Sequence, residues 1–98
     1  MDVEFRTEEL RRRYLEPGEA ERAWGRPVAR KYIQRVDILR AAGSLAELAA
    51  LASLRLHPLR GARAGQYALS LNDRWRLIVT VDAAGIVRVE EVTNHYGD

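Results

Sequence analysis

The sequence predicts an α+β domain: a short N-terminal strand, two to three helices, then a three-stranded antiparallel meander. Three observations lead there. Apolar residues recur at helical spacing through the first half of the chain and alternate singly from Tyr67 onward. Proline and glycine punctuate the helical half at Pro17-Gly18, Pro27 and Gly43. A chain of 98 residues with 47% hydrophobic content supports one modest core and not two, so residues 1–98 are expected to form a single domain.

Val3 and Phe5, flanking Glu4, mark the first strand. Thr7 suits a helix N-cap, with Glu8 and Glu9 in the first turn where the helix dipole favours negative charge. Leu10 and Tyr14 share a face of that helix, and Glu16-Pro17-Gly18 breaks it. A second helix opens near Pro27, which fits a first helical position. Val28, Tyr32, Ile33, Val36 and Leu39 form its apolar stripe; Arg30, Lys31, Arg35 and Arg40 take the other faces, and Gly43 stops it. Ser44 and Glu47 have capping-box spacing for a short helix carrying Leu45, Leu48 and Leu51.

After a loop at 53–65 the period becomes two. Tyr67, Leu69 and Leu71 alternate with Ala68 and Ser70; Trp75, Leu77, Val79 and Val81 alternate with Arg76, Ile78 and Thr80. Asn72-Asp73 is the expected hairpin turn, and Asp82-Ala83-Ala84-Gly85 leads into a last strand from Ile86 to Thr93. Helices on one face of such a sheet complete the architecture. Tyr32, Tyr67 and Trp75 are expected as packing residues.

Composition excludes several classes. No apolar run approaches the roughly 20 residues of a membrane-spanning helix, so no membrane association is expected. Asp2 and Glu4 occupy the place of a signal peptide's basic start, which leaves the cytoplasm as the expected compartment. The chain has no cysteine and two histidines, which argues against disulfides, thiolate chemistry and a structural zinc site; no metal or cofactor is expected. Glu90 and Glu91 are adjacent, and strict alternation would send them to opposite faces, a poor arrangement for a metal.

Net charge is only +2, but Arg55, Arg60, Arg63, Arg74 and Arg76 stand against Asp73 alone within residues 55–76. Such clustering suggests a polyanion partner. The plainer alternative is an arginine-rich surface, since the chain uses fifteen arginines and one lysine. If Trp75, Leu77 and Val79 face the helices, Arg74 and Arg76 point away from them. His57 lies in the loop before the hairpin, and His95 and Tyr96 follow the last strand. A compact sheet would bring these places together. The set suits RNA phosphodiester cleavage by a ribose 2′-hydroxyl: imidazoles for proton transfer, arginines for the developing phosphorane charge, and a phenol to stack or hydrogen-bond. Against this, His57 before a proline could simply cap its loop, and His95 and Tyr96 could be terminal polar residues.

Three pieces, "LHPLRG" at 56–61, "GQYALSLNDRWRLIV" at 65–79 and "VEEVTNHYGD" at 89–98, resemble the RelE/ParE toxin superfamily, within it the HigB-like branch of plasmid-maintenance killer proteins. Members typically show a Leu-His-Pro-Leu-Lys/Arg-Gly loop, a Gly-Gln-Tyr/Trp segment, a Trp-Arg strand and a Tyr/His-containing end. The resemblance implies a RelE-like fold and the toxin of a type II toxin–antitoxin system. It also implies a ribosome-dependent endoribonuclease (an mRNA interferase) acting on translated mRNA, with a HigA-like antitoxin, the ribosome and mRNA as partners. His57 matches the loop histidine and Arg76 the arginine of the Trp-Arg strand. Many HigB-like proteins end in Asp-Tyr-His, whereas this chain has Asn94-His95-Tyr96. The expected catalytic set is His57, Arg76, His95 and Tyr96, with Arg55, Arg60, Arg63 and Arg74 as RNA contacts. Two other readings stay open: a ParE-like gyrase poison, and a non-catalytic module that binds antitoxin or RNA.

Overall fold

The computed structural model describes residues 1–94. Strand β1 (Val3–Phe5) is followed by four helices, α1 (Glu8–Leu15), α2 (Pro17–Trp24), α3 (Arg26–Ala41) and α4 (Leu45–Ala49). Then come β2 (His57–Pro58), β3 (Gln66–Ser70), β4 (Arg76–Val81) and β5 (Val87–Thr93), with 3₁₀ turns at Ala52–Leu54 and Gly61–Arg63. The five strands form one sheet in the order β1-β5-β4-β3-β2.

The antiparallel meander is β3–β4–β5, as the alternation predicts. The sheet is wider than that. β1 joins the outer edge of β5 in parallel, Val3 opposite Val87, and satisfies backbone groups that would otherwise form an open edge. At the far edge the two residues of β2 pair with β3, His57 opposite Ala68 and Pro58 opposite Tyr67. A two-residue strand containing proline carries no alternation signal.

One face of the sheet packs on the helices. Leu69 and Leu71 at β3, Leu77 and Val79 of β4, and Val87 and Val89 of β5 meet Val28, Tyr32, Val36 and Leu39 of α3, with Leu10, Leu48 and Leu54 closing the sides. Each such leucine or valine contributes about 1.5–3 kcal/mol by leaving water. Tyr32 is fully buried and its hydroxyl donates to the Leu10 carbonyl at 2.7 Å. Burial pushes its phenol pKa well above the usual value. Trp24 meets the Tyr32 ring edge-to-face at 4.8 Å.

Several local expectations are corrected. The break at Glu16-Pro17-Gly18 is also a start. Pro17 cannot continue α1, yet it fits the first turn of a new helix, whose N–H groups need no partner inside the helix. Arg35, assigned from the sequence to the polar side of α3, is only 6% exposed. Its guanidinium donates to the carbonyls of Ser70 (3.0 Å) and Ser53 (3.3 Å) and to the Gln34 side chain (3.0 Å), fastening α3 to the end of β3. Burial lowers its pKa, though an arginine stays charged. Ser44 accepts from the Glu47 N–H at 3.2 Å as the capping spacing predicts. α4 nevertheless ends at Ala49, and Leu51, expected on its stripe, is 45% exposed.

The hairpin turn also differs. Leu71 donates to the Trp75 carbonyl at 3.0 Å, so three residues, Asn72 to Arg74, form the turn. The Asn72 side-chain oxygen accepts from the backbone N–H of both Arg74 (2.9 Å) and Trp75 (2.7 Å), which stabilises the longer loop. Arg74 therefore sits in the turn and not on the strand. Trp75 packs half-buried against the main core, as expected of it. No described helix is long and apolar enough to cross a membrane.

Candidate nucleic-acid interface

The sheet face away from the helices carries the charged segment, and strand register fixes its layout. Paired residues share a face, so one row runs His57, Ala68, Ile78, Glu91 across β2 to β5. A second row, nearer the hairpin turn, runs Ser70, Arg76, Thr93; a third, on the other side, runs Gln66, Thr80, Arg88. His57 and Arg76 are thus on one face, two strands and one row apart, with Cα atoms on the order of 12 Å from each other.

His57 is half-buried, and its Nδ1 lies 3.1 Å from the Arg55 carbonyl oxygen. A carbonyl can only accept, so Nδ1 is the donor in this contact. Arg55 presents that carbonyl from a left-handed conformation, φ 50°, and is the non-glycine residue with positive φ among those described. The conformation costs about 1–2 kcal/mol, so the surrounding fold must impose it. The guanidinium of Arg76 donates to the carbonyls of Asn72 (2.6 Å) and Trp75 (3.0 Å), which sets its head at the turn end of the face. Arg55, Arg60 and Arg74 are exposed, and their guanidinium groups make no hydrogen bond or ion pair among the described residues. His95 and Tyr96 lie outside the described residues.

Arg63 is placed differently. Residues 59–65 fold back over the sheet as a strap, with Gly61 (φ 62°) and Gly65 (φ 95°) at its bends, where a side chain would be strained. Those two glycines account for the "RG" and "GQ" of the sequence pattern. Leu59 is buried beneath the strap with Ala68 and Ile78, a small second core on the outer face. Beyond it, Arg63 reaches Glu91 at 2.9 Å and the Gln66 side chain at 3.1 Å.

A β-bulge explains how Glu91 comes to be there. Ile78 pairs with Glu91 but Val79 pairs with Val89, so Glu90 is an extra residue in β5. Glu90 and Glu91, expected on opposite faces by strict alternation, therefore both lie on the outer face. Glu90 accepts from the Thr80 hydroxyl at 2.8 Å and stands 3.8 Å from the Arg88 guanidinium, while Glu91 pairs with Arg63. Alternation holds only where the ladder is regular, and nothing in "VRVEEVT" announces the insertion.

A shallow cleft of about 330 Å³ at the turn is lined by Asn72, Asp73 and Arg74; two larger ones lie away from this face. Clefts of about 530 and 580 Å³ open beside Met1, the first lined by Phe5, Tyr14, Leu15 and Arg40, the second by residues of the Asp82–Gly85 turn. The outer sheet face is open, a shape that suits a polymer lying across it better than an enclosed small molecule.

No family model matches the chain, and no curated protein does. Solved structures do. The YoeB-YefM complex from Staphylococcus aureus has a chain similar at TM-score 0.64 and 17% identity, over 98% of both chains. The YoeB/ParE toxin from Agrobacterium tumefaciens gives TM-score 0.64 and 17% identity, over 98% of this chain and 100% of that one. YafQ from E. coli gives TM-score 0.59 and 14% identity over 93% and 89%. The chain has the fold of these proteins, the α+β arrangement expected from the RelE/ParE resemblance. Likeness at this identity carries the fold and leaves activity to the residues.

Proposed function

We propose that this chain is the toxin of a type II toxin–antitoxin pair, a ribosome-dependent endoribonuclease whose outer sheet face receives mRNA. The observation that carries this reading is the placement of His57 and Arg76 on one face, bordered by the exposed guanidinium groups of Arg55, Arg60 and Arg74. The HigB-like motifs support the nuclease over the gyrase poison, because the loop histidine falls on that face.

In the proposed reaction the His57 imidazole takes the proton of a ribose 2′-hydroxyl. The 2′-oxygen attacks the adjacent phosphorus, and the Arg76 guanidinium stabilises the charge on the phosphorane oxygens. The bond from phosphorus to the 5′-oxygen then breaks, and His95 or Tyr96 supplies the proton to the leaving group. A 2′,3′-cyclic phosphate and a 5′-hydroxyl result. Arg55, Arg60 and Arg74 hold neighbouring phosphates. Neither metal nor cofactor takes part, since arginine supplies the positive charge.

YoeB-YefM from Staphylococcus aureus forms a heterotetrameric toxin–antitoxin complex, which supports an antitoxin partner here; the motifs favour a HigA-like one. We place its docking on the helical side. Among the described residues, Leu15 and Leu51 are the large apolar side chains left exposed, at 54% and 45%, and Leu51 lines a groove with Ile38, Ala41 and Ala42. A complex in which the antitoxin contacts His57 and Arg76 directly would show this placement to be wrong. The cytoplasm, where translating ribosomes are, is the proposed compartment.

Cleavage of mRNA on translating ribosomes, assayed beside supercoiling by DNA gyrase, tests the function. Ribosome-dependent cleavage with normal supercoiling is expected. Gyrase inhibition without cleavage would establish the ParE-like alternative, and neither effect would leave a binding module.

A further inference from the structure

We propose that Arg63 and Glu91 are a pair of positioning residues: their ion pair ties the 59–65 strap across the outer face and thereby sets His57 against Arg76. This rests on the proposed function of that face. His57 belongs to a strand of two residues at the sheet edge, with two pairings to β3 and the Leu59 N–H bond to the Gln66 carbonyl at 2.8 Å as its backbone anchors. So short a strand does not fix its own position. The strap begins at its end, and Leu59 descends into the small core with Ala68 and Ile78.

Arg63 then fastens the far side. One guanidinium nitrogen is 2.9 Å from Glu91 on β5 and another donates to Gln66 on β3 at 3.1 Å, so this one side chain bridges two strands of the sheet. Both partners are partly shielded, with side-chain exposures of 28% and 35%, which limits screening of the pair by water and salt. The β5 bulge has a purpose in this arrangement. Without the extra residue, Glu90 and Glu91 would point to opposite faces, and one of the two carboxylates would be lost from the outer face. The arginines divide accordingly: Arg55, Arg60 and Arg74 are open to phosphate, whereas Arg63 turns its guanidinium to Gln66 and, as an ion pair without a hydrogen bond, to the buried Glu91 Oε1.

The test is a double-mutant cycle on the full chain with Arg63→Ala, Glu91→Gln and both together. It is read as kcat and KM for ribosome-dependent mRNA cleavage, and as the imidazole NMR signals of His57, assigned by their loss in His57→Gln. Positioning predicts that each single variant lowers kcat about tenfold to a hundredfold, since small misplacements cost that much. KM should stay within about twofold, His57 signals should shift in both, and the double variant should be no worse than either single one. The exchanged pair, Arg63→Glu with Glu91→Arg, should regain most of the activity. If Arg63→Ala raises KM while Glu91→Gln does not, Arg63 is a phosphate ligand and the proposal is overturned. It is overturned equally if the variants only lower the melting temperature and leave kcat and the His57 signals unmoved. Should either single variant fail to fold, Glu91→Asp gives the same readouts in a milder form. Wild-type protein that cuts no RNA would refute the proposed function, while the His57 signals would still decide the positioning role.

Discussion

The two faces of one sheet obey different rules. Toward the helices, Leu69, Leu77, Val79, Val87 and Val89 are at most 1% exposed and join α3 in one continuous core. Away from them, the same strands carry Arg76, Thr80, Arg88, Glu90 and Glu91, and Ala68 and Ile78 form a small apolar patch with Leu59 of the strap. The helical face owes its stability to area removed from water, which tolerates no polar group without a partner. The outer face is held by ion pairs, side-chain hydrogen bonds and a strap, and it keeps cationic groups where solvent can reach them. Stability and proposed chemistry are thus separated by the thickness of a sheet, so substitutions on the two sides should fail in different ways.

His57→Gln should give the largest effect, a fall of about 10²–10⁴ in the cleavage rate with an unchanged melting curve, since it removes a proton-transfer group and no core contact. Leu77→Ala, one residue from Arg76 but on the other face, should instead cost about 2–5 kcal/mol of stability in chemical denaturation. Activity per folded molecule should survive. Arg76→Ala should lower kcat by about 10²–10³, the range for losing one donor to a developing oxyanion, again with the fold intact. A melting transition lowered as much in Arg76→Ala as in Leu77→Ala would dissolve the distinction between the faces.

Smaller changes sharpen it. Arg60→Ala, on an exposed strap position, should weaken binding evenly across RNA sequences and reduce the log–log salt slope by about 0.7, as for one phosphate contact on a single strand. Tyr32→Phe, deep on the helical side, should cost about 1 kcal/mol through the lost bond to Leu10, with no effect on cleavage of folded protein. Its pH dependence has a definite sign. The folded-state pKa of Tyr32 is raised, so its contribution is complete below the unfolded value of about 10 and declines as pH rises beyond it. The Phe variant should lose stability less steeply in that alkaline range.

Legibility in the sequence followed the same division. Regular periodicity exposed α3, with Val28, Tyr32, Val36 and Leu39, and the meander, because a buried face repeats with the backbone. The common face of β4 and the outward Arg76 came from the same alternation. What stayed hidden depends on interruptions or on distant backbone. The β5 bulge inserts a residue that local sequence does not mark. Arg35 resembles any surface arginine until the carbonyls of Ser53 and Ser70 are brought beneath α3. α2 lacks a strong apolar stripe, and its proline was legible as an end but not as a beginning. Asn72 lengthened its turn through its own side chain and carried Arg74 off the strand.

The most direct test of the account is the chemistry of the cut ends. Wild-type protein should leave a 2′,3′-cyclic phosphate and a 5′-hydroxyl on mRNA cleaved at the ribosome, in the presence of EDTA at levels that spare the ribosome, and folded His57→Gln should leave almost none. A 5′-phosphate product, or undiminished cleavage by His57→Gln, would contradict the assignment of 2′-hydroxyl attack to the outer face of the sheet.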